Sequence, residues 1–290
     1  MMDQDDLIGD DCAVVELGDE KYLFSLDSFI ENTHFKTDYF SPYDIGWKAL
    51  AVNVSDIAAM AGSPLMALIG LNLRQDLEDK ENWVREFYSG VKDCALKFGG
   101  VKIIGGDLCK SEAEISVSVS IIGKTHKHGV LLRSGAKAGD KVCVTGSFGN
   151  SAKFLEEKCN GNVRSWKCDI FEQAHLRPIP RISEAQTVWK NNSRGALMDT
   201  SDGLAQALIE ISEQSKLDLC INTEQIPRDK DIDLSLALYG GEDYELLGCF
   251  EEVPEDFTLI GYCKKPDIEP KVIFEPNGEM LINNKSYSHF

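Results

Sequence analysis

The spacing of apolar positions changes period several times along the chain, and each change marks an element. "CAVVEL" (Cys12 to Leu17) and "KYLFSLDSF" (Lys21 to Phe29) flank Gly18-Asp19, which predicts two short strands joined by a tight turn. "DIGWKALAVNVSDIAAMAG" follows Pro42 as a helix and is expected to stop at Gly62-Ser63-Pro64. Leu65 to Leu73 is almost continuously apolar, as in a strand covered on both sides. Helical spacing returns from Asp79 to Gly99, and "VKIIGGD" is expected to be a short buried strand ending in a glycine turn. Glu114 to Gly123 alternates, with Ile115, Val117, Val119 and Ile121 on one face and serines on the other.

Between Lys124 and Lys141 the pattern turns polar and turn-rich, which places the expected domain boundary there, as 1–127 and 128–290. The second half starts with the strand "KVCVTG" and the glycine loop "GSFGNS" running into a helix. A long helical stretch, a Pro-rich hinge at "RPIPRI" and a strand–helix unit around "GALMDTSDGL" follow. A strand at "DLCIN", the "GGEDYELLGCF" segment and further strands complete the chain. No solenoid repeat is visible, and strands and helices mix without strict alternation, so an α+β fold is expected.

With 290 residues, 43% of them hydrophobic, the chain can bury the cores of two domains. The net charge of −18 speaks against a nucleic-acid footprint, because phosphate backbones are held by clustered Lys and Arg. Small phosphorylated ligands stay possible where cations mediate the contact. No apolar run reaches the roughly 18–20 residues that span a bilayer, and "MMDQDDLIGDD" lacks the features of a signal peptide. Nine cysteines without a C-x-x-C pair read as reduced thiols, so the expected location is the cytoplasm.

Several carboxylates stand where a surface charge has no reason to be. Each sits beside glycine or an apolar run: Gly9-Asp10-Asp11, Ser25-Leu26-Asp27, Asn53-Val54-Ser55-Asp56, Gly105-Gly106-Asp107, Asp199-Thr200-Ser201-Asp202-Gly203 and Gly240-Gly241-Glu242-Asp243. Asp56 lies in a helix that is apolar almost all round and shares a face with Asn53. Two readings stand open for it: a structural Asp bonded to nearby backbone, or a cation ligand. Asp202 is a natural N-cap for the helix that follows as well as a candidate ligand. As a set, acidic groups beside glycines suit a hard divalent cation such as Mg²⁺ held between carboxylates and substrate phosphates. No P-loop, kinase glycine loop, G-x-S-x-G or H-E-x-x-H is present, and "GSFGNS" lacks the P-loop lysine.

"GDDCAVV", "LDSFIENTHF", "KALAVNVSDIAAMAG", "IIGGD", "LLRSGAKAGDKVCVTGSFGNS", "MDTSDGL", "GGEDYEL" and the final "SYSHF" occur in the order seen in the thiamine-monophosphate kinases. These kinases belong to the aminoimidazole ribonucleotide synthetase-like superfamily, and the resemblance spans essentially the whole chain. It implies an α+β, two-domain fold: an N-terminal α/β domain whose sheet forms a barrel-like core in a homodimer, and a C-terminal α+β domain completing the cleft. It further implies transfer of phosphate from ATP to thiamine monophosphate with several Mg²⁺. Residue by residue, Asp11, Ser25, Asp27, Asp56, Asp107, Asp199 and Asp202 match metal positions. Gly106, Asp107, Arg133 and Ser201 match ATP contacts, and His34, Glu242 and Tyr287 match positions around thiamine monophosphate.

The chain departs from the family pattern in three places. Leu26 stands where a hydroxyl residue is common, so a side-chain metal contact there is expected to be lost while a backbone carbonyl remains. Leu108-Cys109 replaces the usual threonine after Gly-Gly-Asp, and the chain reaches Gly-Asp-Asp without the longer leading helix of many members. The acceptor is itself a phosphate monoester with a second pKa of about 6. No general base is therefore expected, only two polyanions held in line and shielded. Two alternatives are weighed: another ATP-dependent member of the superfamily, and a catalytically silent subunit that keeps the fold. Against the first, the N-terminal segment has no reactive Cys and the chain does not end in one.

Overall fold

The computed structural model describes residues 8–159 and 168–281. The chain divides into two units. The first comprises Met1–Ile57, Gly62–Thr125 and Leu176–Pro180; the second comprises Ala58–Ala61, His126–His175 and Arg181–Phe290.

The first unit is built on an open five-stranded sheet in the order β1-β2-β5-β3-β4. Its strands are β1 (Ala13–Leu17), β2 (Glu20–Ile30), β3 (Ser63–Arg74), β4 (Lys102–Ser111) and β5 (Ser116–Lys124). All neighbours are antiparallel except β3 and β4. The hairpin turns at Gly18-Asp19, where Leu17 pairs with Glu20. One sheet face is the core: Leu23, Phe29, Val117, Val119, Ile121, Ala67, Ile69 and Leu71 are buried on it. Helices α1 (Pro42–Ala59) and α2 (Lys80–Lys97) contribute buried apolar residues, among them Ile45, Leu50, Phe87 and Val91. A capping box starts α1: the Ser41 hydroxyl accepts the Asp44 N–H at 3.2 Å, and the Asp44 carboxylate accepts the Ser41 N–H at 3.3 Å. Pro42 then fills the first helical position, where its missing donor is not needed.

β4 differs from its expected form. It is neither short nor buried, and its glycines make no turn. It runs ten residues to Ser111, with Gly105 and Gly106 inside it, and nearly every residue is exposed. The reason is position: among the described residues β4 is the sheet's outer strand, paired only with β3. A cavity of about 520 Å³ opens beside it, lined by Leu73, Val84, Leu108 and Lys110 among others, and none of the candidate carboxylates lines it.

The second unit carries a mixed seven-stranded sheet in the order β12-β11-β8-β10-β6-β9-β7. The strands are β6 (Lys141–Val144), β7 (Ala196–Asp199), β8 (Asp218–Asn222), β9 (Leu246–Phe250), β10 (Thr258–Lys264), β11 (Val272–Glu275) and β12 (Glu279–Met280). Its helices are α3 (Asn150–Cys159), α4 (Cys168–Leu176), α5 (Ile182–Thr187), α6 (Leu204–Ser215) and α7 (Leu234–Tyr239). Leu131, Cys143, Ala185, Val188, Leu197, Leu246 and Phe250 form a buried cluster within it. Cys12, Cys94, Cys109, Cys143, Cys220, Cys249 and Cys263 are free thiols, and of these all but Cys109 are buried. Among the described residues no helix is long and apolar enough to cross a membrane.

Candidate active site

In the first unit the carboxylates gather on the core side of β2. Ser25 and Asp27 alternate with Leu23 and Phe29 and share their face. Asp56 meets them from α1, where it accepts the Ser25 hydroxyl and hydrogen-bonds with Asp27. Asp11, just before β1, brings a carboxylate oxygen within 4.8 Å of one from Asp56. Burial pushes the Asp27 carboxyl above its ordinary range, and the bond with Asp56 only partly offsets this. Acids this close need a shared proton or a cation between them. The donor set is oxygen only, which fits Mg²⁺ and not a soft metal.

Asn53, on the same helix face as Asp56, is buried with its amide nitrogen donating to the Ala49 carbonyl at 3.0 Å. Leu26 is 63% exposed on the opposite sheet face from Asp27. A hydroxyl side chain at that position would point away from Asp27 and lie on the other face of the sheet. His34 lies in the loop after β2, its Nδ1 accepting the Ile30 N–H at 3.1 Å. That loop is tied down by Glu31, a carboxylate only 3% exposed that accepts from Thr37, Arg74 and the Ile115 N–H at 3.0–3.1 Å.

Asp107 stands apart from this group. The register runs Asp27, Val119, Ile69, Gly106 across the sheet, so Gly106 shares a face with Asp27 and Asp107 projects from the other. Asp107 is exposed, accepts the Leu108 N–H at 2.9 Å and takes the Cys109 thiol at 3.2 Å, which pushes that thiol up. Gly106 has a structural duty of its own. A Cβ there would lie 1.9 Å from the Ile69 carbonyl oxygen, so only glycine lets β4 pair this closely with β3.

In the second unit two motifs lie side by side because β7 pairs antiparallel with β9, Asp199 opposite Leu246. Thr200 donates to the Glu245 carbonyl from both its N–H (2.9 Å) and its hydroxyl (3.1 Å), and the Glu242 N–H donates to the Ser201 carbonyl at 2.7 Å. Glycines make this approach possible: a Cβ on Gly203 or Gly241 would lie 3.0 or 2.8 Å from the facing carbonyl. Asp199 is 3% exposed at the end of β7. Asp202 does not cap α6, because the N-cap is Gly203, at φ 98°, with no side-chain cap bond. The capping explanation for Asp202 therefore falls away.

The three acids of "GGEDYE" have separate fates. Glu245 is held bidentately by Arg181, at 2.6 Å twice, and by Thr145 at 2.6 Å. Asp243 accepts the N–H groups of Gly149 and Ser151 at the start of α3, and burial pushes its carboxyl up to about 7. Glu242 alone keeps a partly exposed side chain, at a backbone φ of 65°. Arg133 is ion-paired with Glu210 of α6. Tyr287 lies outside the described residues. Sequence reasoning missed Glu31, Arg181 and Glu245; the signal available was charge inside apolar or proline-framed stretches, "FIENTHF" and "RPIPRI".

The family described as "AIR synthase related protein, N-terminal domain" matches residues 9–125. Thiamine-monophosphate kinase of Bacillus subtilis (strain 168) is 35% identical, over 98% of this chain and 93% of that protein. Its counterpart from Aquifex aeolicus (strain VF5) is 38% identical, over 83% and 79%. Among solved structures, AaThiL complexed with AMPPCP and TMP has a TM-score of 0.87 at 34% identity, covering 98% of this chain and 92% of that one. Hydrogenase Maturation Protein HypE in complex with ATP, at 19% identity and a TM-score of 0.74, shares the fold.

Proposed function

The chain belongs to the thiamine-monophosphate kinase family, and we propose from that premise that its glycine-flanked carboxylates hold the Mg²⁺ of the transfer. The activity is ATP-dependent phosphorylation of thiamine monophosphate in thiamine diphosphate synthesis. The observation that carries the metal reading is the crowding of Asp11, Asp27 and the Ser25 hydroxyl around Asp56. Asp11, Ser25, Asp27, Asp56, Asp107, Asp199 and Asp202 hold Mg²⁺; Gly106, Asp107, Arg133 and Ser201 contact ATP; His34, Glu242 and Tyr287 contact thiamine monophosphate. Arg133 exchanges part of its pairing with Glu210 for the nucleotide.

Bound Mg²⁺ neutralises the charge of two polyanions brought together, and this is the chemistry the carboxylates recruit. The chain's own residues align donor and acceptor and exclude water, and none serves as general base, because the acceptor phosphate is ionised at neutral pH. Residues 1–127 bind ATP and Mg²⁺ and dimerise, and 128–290 supply Asp199, Asp202 and Glu242. The protein acts in the cytoplasm. Support for a homodimer comes from β4, the outer strand of its sheet among the described residues, with Ile104 52% and Leu108 59% exposed, beside a sheet face exposing Leu26 and Leu68. A second copy covering that edge places Gly106 and Asp107 at the seam, which accounts for Asp107 standing apart from Asp27.

The test is conversion of thiamine monophosphate by purified protein with ATP and Mg²⁺, thiamine species being separated by chromatography and free thiamine run as a parallel acceptor. Diphosphate formed only from the monophosphate, and abolished by chelator, is the expected result. Diphosphate formed undiminished in the presence of chelator contradicts the metal reading.

A further inference from the structure

We propose that His175 is a positioning residue that fixes the carboxylate of Glu242 for the thiamine moiety of the acceptor; this rests on the reading of Glu242 as a substrate contact. The loop carrying Glu242 has no regular structure, and two of its four residues after the glycines, Glu242 (φ 65°) and Tyr244 (φ 52°), lie in the left-handed region. Side chains enter that region at a cost and stay only where the surroundings over-determine them. Here the surroundings form a closed circuit. Asp243 accepts the Ser151 N–H at 3.2 Å and the Gly149 N–H at 2.6 Å, locking the peptide after Glu242 to the start of α3. The Ser151 hydroxyl lies 2.9 Å from His175 Nδ1, and that same Nδ1 lies 3.5 Å from Glu242 Oε2. The circuit thus returns to the residue it started from.

His175 is itself held still. It is 1% exposed, and its ring packs on Phe154 with centroids 5.1 Å apart and planes 27° apart. A buried imidazole braced on one side by a phenyl ring and on the other by a buried hydroxyl cannot follow a wandering carboxylate. It therefore fixes one position for it. Asp243 and Glu245 face donors of the fold, whereas Glu242 faces His175 with a side chain that is partly exposed. A carboxylate is the acceptor suited to a ring system bearing a cation and an amino group, and its direction decides how well it meets one. The segment "HLRPIPR" thereby gains a second function at its first residue, beside the structural pairs of Arg177 with Asp44 and Arg181 with Glu245.

The experiment measures KM for each substrate in wild type, His175→Leu, His175→Asn and Glu242→Gln, with thermal melts recorded alongside. His175→Leu is expected to raise KM for thiamine monophosphate tenfold or more while KM for ATP stays within twofold. His175→Asn, whose amide nitrogen can stand near the Nδ1 position, is expected to recover most of the loss. Adding His175→Leu to Glu242→Gln is expected to change KM by less than a further twofold, because the two act through one carboxylate. Unchanged KM in His175→Leu, equal rises for both substrates, or losses that multiply in the double variant overturn the proposal. Should His175→Leu not fold, Ser151→Ala takes its place; a several-fold rise confined to thiamine monophosphate supports the circuit and an unchanged value overturns it. Wild type making no thiamine diphosphate defeats the reading on which the proposal rests, whereas an active wild type with an indifferent His175→Leu defeats the proposal alone.

Discussion

The carboxylates of the two units are arranged in opposite ways. In the first unit Asp11 and Asp27 are both set against Asp56, which also accepts a single hydroxyl. In the second, two of the three acids of "GGEDYE" are matched to strong donors: Glu245 to a guanidinium and Asp243 to two backbone N–H groups. The lesson is that a buried acid is read by what faces it. Acids facing donors hold the fold together, and acids facing acids need a shared proton or a cation between them. Substitution should therefore act on stability in one region and on metal-dependent activity in the other.

The largest effect is expected where the pairing is most complete. Glu245→Ala leaves Arg181 without its buried partner and should lower unfolding free energy by about 3–5 kcal/mol, measured by urea denaturation. Asp56→Asn should do the reverse kind of damage. Phosphoryl transfer is expected to fall roughly 10²–10³-fold, the range for removing one group that stabilises transition-state charge, while stability without Mg²⁺ is unchanged or higher. Smaller again is the linkage to metal. Saturating Mg²⁺ should raise the wild-type melting temperature, by the equivalent of about 2.7 kcal/mol at a hundredfold excess over Kd, and leave Asp56→Asn where it was.

A pH dependence separates the regions further. Asp243 is raised from the ordinary 3.8 to about 7 by burial. A carboxyl raised on folding contributes stability fully below its unfolded pKa and loses it as pH climbs to the folded value. Asp243→Asn should therefore gain on wild type as pH rises from about 4 to 7, in denaturation at each pH. The smallest effect is expected at Leu26. Leu26→Ser, on the far face from Asp27, should change kcat and Mg²⁺ affinity less than twofold, whereas a clear gain in either would put that side chain at the metal site after all.

Much of this contrast was legible in the sequence. The hairpin at Gly18-Asp19, both long helices and the alternating β5 follow from period alone, because one buried face dictates each. The motif order located the acids of both units. What local pattern could not supply was pairing over distance. Nothing near "GGEDYE" says which acid meets Arg181, 64 residues away, or that His175 meets Glu242 across the fold. β4 departs from its expected form for a related reason: Gly-Gly-Asp looks like a turn, but Gly106 is needed for contact with β3 and the strand runs on past it. Asp202 has the spacing of a helix cap, and only the backbone at Gly203 decides against it.

The most direct measurement is the rate of thiamine diphosphate formation against free Mg²⁺, for wild type and Asp56→Asn side by side. The account predicts that the variant is at least a hundredfold slower at physiological Mg²⁺, regains part of its rate only at much higher concentration, and unfolds no more easily than wild type. Superimposable curves for the two proteins would contradict it, and would reduce the Asp11, Asp27 and Asp56 group to a buried cluster without a part in the transfer.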